Sequence, residues 1–215
     1  MSRMIEKLRT GALTVAFAAL MGCGDNAPAT DVALVPVLTD AQANARTTVP
    51  LTRTVSLDEP GVIADLDFDL PPPGELAWSS LIVGIRTEAP DTKSIIALSD
   101  VIIQGGLPAK VELQRIDGVG PVDMPLIRIG PDLKQRVPVA ADGLTPGVRA
   151  AGLDGRMLAE AGLERDGALS EVLAFAHAAE PPPGRYHLRV ELIEARPQLQ
   201  GQAAQLIVGY NARAK

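Results

Sequence analysis

The chain has 215 residues, 47% of them hydrophobic, and a formal net charge of −6, with one Cys, two His, one Trp, two Tyr and three Phe. A single Cys excludes a disulfide framework and any multi-cysteine zinc or iron–sulfur site. The acidic balance excludes the basic stripe that a nucleic-acid-binding domain needs to displace counterions, and the apolar fraction excludes a wholly disordered protein.

Arg3, Lys7 and Arg9 make a positive opening, and no charge follows until Asp25. Gly11 to Met21 is an apolar stretch of 11 residues. A membrane-spanning helix needs ~20, so this length suits the apolar region of a secretory signal. It ends in Leu20-Met21-Gly22-Cys23, which resembles a bacterial lipobox. The resemblance implies cleavage between Gly22 and Cys23, a diacylglycerol on the Cys23 thiol and acylation of the new amino group. The thiol supplies the nucleophile, and small Gly22 leaves the bond open to a peptidase. Each buried methylene contributes about 0.8 kcal/mol, so two or more acyl groups make a stable anchor. Gly24 rather than Asp follows the Cys. By resemblance to enteric sorting signals, this implies delivery to the outer membrane, facing the periplasm.

The expected organisation is therefore a signal peptide over 1–22, a lipidated Cys and flexible tether over 23–46, and a folded domain over 47–215. Residues 1–22 carry three basic residues and one acidic one, so the remaining 193 residues have 17 basic and 25 acidic, net −8. Asn26 to Arg46 is rich in Ala, Asp, Pro and Thr without a sustained period, as a tether would be.

Within the domain, residues 50–56 suggest a first strand. Asp65-Leu66-Asp67-Phe68-Asp69-Leu70 alternates strictly, which predicts Leu66, Phe68 and Leu70 inward and the three Asp outward. Pro71 to Gly74 ends that strand, since Pro removes backbone donors and Gly accepts positive φ. Leu76 to Thr87 predicts a longer apolar strand with Trp78 in the core. A short helix is expected over 92–104, capped by Asp91 or Thr92 and ended by Gly105-Gly106. Lys110 to Ile116 alternates again. Residues 117–156 hold many Gly and Pro with little periodicity and predict a long loop. Ser170 to Ala178, then Tyr186 to Leu192, then Gln202 to Tyr210 complete the strands, with Tyr186 and Tyr210 inward. Pro181 to Gly184 repeats the earlier turn. Some seven strands with this punctuation predict an all-β fold, an antiparallel immunoglobulin-like β-sandwich.

Common catalytic motifs do not occur: the sequence has no G-x-S-x-G, H-E-x-x-H, P-loop or G-x-G-x-x-G. His177 is expected to share the inward face of Phe175, and His187 the outward face of Arg185 and Arg189, so the two do not make a metal pair. Asp65, Asp67 and Asp69 begin like a calcium loop, but Leu70 stands where Gly is required and Leu76 where Glu is. Ser79-Ser80 has no basic partner nearby in sequence. The expectation is no catalytic residue, no metal and no cofactor. The acidic row of Asp65, Asp67 and Asp69 is the candidate partner-binding face.

Pro183-Gly184-Arg185-Tyr186, Arg196-Pro197-Gln198-Leu199-Gln200-Gly201 and Val208-Gly209-Tyr210 together resemble an uncharacterised proteobacterial lipoprotein domain. That resemblance implies a lipobox followed by a β-sandwich and brings no catalytic residues. The functional expectation is a membrane-anchored, non-enzymatic protein-interaction domain of the envelope. An immunity protein against an interbacterial toxin is one version. A structural or assembly lipoprotein of an envelope or secretion machine is the alternative, and an enzyme acting on envelope polymers is the remote one.

Overall fold

A computed structural model describes residues 35–212 except Leu76 and Asp166. The expected signal peptide, its expected cleavage site and Cys23 lie outside the described residues. Among the described residues, no helix is long and apolar enough to cross a membrane.

Two antiparallel sheets form a sandwich. The first described element is helix α1 (Asp40–Ala45), inside the stretch expected as tether. A capping box explains it: the Thr39 hydroxyl accepts from the Gln42 N–H, and the Gln42 side chain accepts from the Thr39 N–H. Helix α1 lies beside strand β1 (Leu51–Val55). The Asn44 side chain bonds Thr54 on its backbone N–H and on its hydroxyl, and Arg53 reaches the Ala43 and Arg46 carbonyls. An otherwise open sheet edge is thereby covered.

Strands β2 (Gly61–Leu70) and β3 (Ala77–Ala89) follow, then helix α2 (Thr92–Gly105) and strand β4 (Ala109–Asp117). Asp91 caps α2 as expected, its carboxylate accepting from the Ser94 N–H at 2.9 Å. Ile102 drops from α2 into the core between the sheets. At the other end of α2, Gly106 takes a left-handed φ of 70°, and the buried Arg196 guanidinium donates to the carbonyls of Gly105 and Gly106. A Cβ at Gly105 would collide with that guanidinium. The Arg196 side chain of the Arg-Pro-x-Leu stretch thus caps the C-terminus of a helix ninety residues upstream, with Leu199 buried beside it.

The expected loop over 117–156 is instead laced into both sheets. It contains strands β5 (Gly120–Asp123), β6 (Leu126–Ile129), β7 (Arg136–Pro138), β8 (Leu144–Thr145) and β9 (Arg149–Ala150), and enters helix α3 (Gly155–Glu160). β5 and β8 pair with β4, whereas β6 and β9 pair with the next long strand, β10 (Leu169–Ala178). Strands of two to four residues are too short to show a period, and Pro and Gly interrupt the segments around them. Strands β11 (Gly184–Leu192) and β12 (Ala204–Ala212) close the fold. Among the described residues the larger sheet runs β1-β12-β3-β10-β6-β7, with β9 also on β10. The smaller runs β2-β11-β4-β5, with β8 also on β4.

Both Pro-Pro-Pro-Gly segments are crossings between sheets rather than hairpins. The first leads from β2 in the smaller sheet to β3 in the larger, and the second returns from β10 to β11. A proline-rich crossing leaves carbonyls without ladder partners. Two buried tyrosines supply them. The Tyr210 hydroxyl donates to the Pro71 carbonyl and the Tyr186 hydroxyl to the Pro182 carbonyl, each at 2.6 Å. The second contact, four residues back in sequence, has the form of a tyrosine corner. Tyr186 also stacks on Phe68 across β2–β11, with ring centroids 5.6 Å apart.

Burial keeps both phenols protonated: Tyr186 is raised, and Tyr210 is pushed up to about 12 by burial and by Tyr186 beside it. The unfolded protein releases these protons near pH ~10. The stabilisation is therefore complete below pH ~10 and is lost as pH rises through the raised values. Tyr210→Phe is expected to cost about 1–2 kcal/mol in urea denaturation at neutral pH, because the Pro71 carbonyl loses its partner. The same variant should lose less stability than the native protein between pH ~10 and ~12.

Candidate binding groove

The register of the smaller sheet sets the fate of the acidic row. Asp65, Asp67 and Asp69 point outward from β2 as expected, opposite Arg189, His187 and Arg185 of β11. Arg189 reaches Asp65 at 2.9 Å, Arg185 reaches Asp67 at 3.1 Å, and the His187 ring contacts Asp67 at 2.9 Å. Hydrogen bonds from His187 and then Arg185 hold the Asp67 carboxyl below its usual range. The row expected to offer an acidic face to a partner is in large part a cross-strand ion-pair ladder. Alternation along β2 is legible in the sequence, but only the register assigns the bases of β11 to it. Asp67→Asn is expected to change stability by less than about 1 kcal/mol, because the pair is exposed. That difference should be present above pH ~4 and vanish as pH falls through the lowered Asp67 value, as acid titration of both proteins would read.

On the larger sheet the outward face behaves differently. Its middle is covered by α1, α3 and the segment after α3, which bury Ile82, Val172 and Ile207 against Leu158 and Leu163. β3 is therefore apolar on both faces, and Leu81, Ile82, Val83 and Ile85 show no alternation. A strand without alternation gives no sign of which residues leave the core, and the expectation of a core Trp78 fails for that reason. Trp78 shares the face of Ile82, not of Leu81, and is 47% exposed at the margin of the covered area.

Two β-bulges shape the surface around it. On β3, Leu81 pairs with Tyr210 and Ala77 with Ala212. Three residues, Trp78, Ser79 and Ser80, therefore stand against the single Asn211. All four line one cavity, which a regular strand would forbid by sending alternate side chains to opposite faces. On β10, Ala174 pairs with Gly84 and Ala176 with Val83, which leaves Phe175 as an extra residue. Phe175 remains in the core, but the alternation after it is reversed. His177, expected on the inward face of Phe175, is consequently turned outward beside Ile82 and into the same cavity.

The cavity has a volume of about 360 Å³. Ile127 of β6 lies across from His177, Ile129 and Arg136 of β6 and β7 form one flank, and Glu180 closes one end from a residue with φ of 47°. His177 is only 6% exposed, and burial followed by the charge of Arg136 lowers its pKa. It is the neutral imidazole that faces the groove near neutral pH. His187 lies on the outward face of the other sheet, so the two histidines are as separate as expected. Among the described residues, no group of three or more His, Cys, Asp or Glu is placed to hold a metal ion.

No family model and no curated protein matches the sequence. The crystal structure of a protein from Sulfurospirillum deleyianum is 17% identical, covering 76% of this protein and 98% of that one, with a TM-score of 0.35.

The lowered His177 pKa has a direct test. An NMR titration should place His177 below the ordinary value of ~6.5, and Arg136→Ala should move it upward by removing the neighbouring charge. Because the unfolded protein takes up this proton more readily, stability should be held above pH ~6.5 and fall as pH drops through the lowered value.

Proposed function

We propose that this is a lipid-anchored protein of the bacterial envelope whose sandwich is a binding module, with the Trp78 groove as its site. The anchor rests on the lipobox-like Leu20-Met21-Gly22-Cys23 after a charge-free apolar stretch. The binding role rests on one observation: two independent bulges, in β3 and β10, bring Trp78, Ser79, Ser80, Asn211 and His177 into a single cavity. A bulge disrupts its ladder locally, and bulges concentrate where a side chain must be re-aimed. Here both act on the same patch. The cavity falls in the size range of small-ligand sites, about 300–1,000 Å³, and combines an aromatic surface with a few convergent polar groups. The ion-pair ladder on the smaller sheet is the weaker candidate, since its carboxylates already face cationic partners.

Cys23→Ser should move the protein from the membrane fraction to the soluble fraction of the envelope and abolish labelling with a fatty acid. Retention in the membrane would refute the anchor. For the site, a photo-reactive amino acid in place of Trp78 should give a discrete crosslinked adduct in intact cells. The same residue in place of Val119, exposed near the β4–β5 turn, should not. Equal adducts from both positions would refute the groove as the binding site.

A further inference from the structure

The groove carries a combination of chemistries that narrows its ligand. Its apolar surface is the indole of Trp78 with Ile127 and Ile129. Ser79, Ser80 and Asn211 each offer donors and acceptors, Arg136 offers donors only, and Glu180 acceptors only. The Arg136 and Glu180 side chains are exposed, and neither has an ion-pair partner among the described residues. With His177 neutral, the single positive and single negative charge cancel.

We propose that the groove binds a neutral saccharide, with the C–H face of one sugar ring on Trp78 and the ring hydroxyls bonded by the surrounding polar side chains. This rests on the reading of the groove as the binding site. An anionic ligand would use Arg136 but meet Glu180, and a cationic one the reverse. A wholly apolar ligand would strip water from the serines, Asn211 and His177 and return no hydrogen bonds. A sugar hydroxyl both donates and accepts, so it suits Arg136 and Glu180 alike. The ring's C–H groups carry slight positive charge and match the negative face of the indole. An extended peptide needs a trench or an open strand edge. The site lies on a sheet face rather than along a strand edge, and its volume of about 360 Å³ suits one or two sugar rings.

Trp78 is the only Trp in the sequence, so its fluorescence reports on this groove alone. The full-length protein, held in a detergent without a sugar headgroup, is titrated with glucose, N-acetylglucosamine, and the trisaccharides maltotriose, cellotriose and chitotriose. At least one should give a saturable change in emission. By calorimetry, Trp78→Ala should weaken that sugar at least tenfold, Trp78→Phe less, and Glu180→Gln or Asn211→Ala several-fold with an unchanged circular dichroism spectrum. Glucuronic acid and glucosamine should bind more weakly than their neutral counterparts. Failure of every neutral sugar, or tighter binding of a charged one, would overturn the proposal. If no sugar binds but a partner crosslinks through position 78, the saccharide assignment falls and the binding site stands. If neither occurs, both fall.

Discussion

The sandwich depends on satisfying backbone groups where the polypeptide leaves one sheet for the other. Each Pro-Pro-Pro-Gly crossing gives up ladder donors, so the carbonyls there need partners from outside the ladders. Tyr186 and Tyr210 meet this requirement with one hydroxyl each, from rings that also fill the space between the sheets. No disulfide is available to the fold, because the one Cys lies outside the domain at residue 23. The two phenols, stacked Phe68 and aliphatic faces such as Leu113, Leu188 and Val208 hold the sheets together instead. Apolar burial supplies the driving force, and the tyrosine hydroxyls set where the crossings lie.

The same economy explains the groove. The larger sheet is covered on its outer face by two short helices, yet that cover stops short of the β3 start. Here the bulges in β3 and β10 gather the lone Trp, the two serines, Asn211 and His177. On the smaller sheet the outward charges of β2 and β11 pair with one another, as Asp65 and Asp67 do with Arg189 and Arg185, and the register shift between Val190 and Glu191 lies beyond that ladder.

What is legible in the sequence follows the length of each signal. The strict alternation of 65–70 and of 186–192 predicts strands and their inward residues, and Phe68, Tyr186 and Tyr210 are buried. Asp91 and Gly105-Gly106 mark the ends of α2. Residues 117–156 are illegible because each strand spans one or two periods at most. Helix α1 escapes notice because six residues flanked by Pro and Thr show no apolar stripe, although Thr39 and Gln42 are its readable cap.

The amino-acid order alone determined the fold class, the long strands and the capped helix, because these are set by neighbours close in sequence. Trp78 and His177 were decided by tertiary structure. The side of His177 depends on one extra residue at Phe175, and the exposure of Trp78 on how far the elements packed on the outer face cover a strand that is apolar on both sides. A single inserted residue reverses every side chain beyond it, and whether a strand contains one is settled only by its pairing with the next.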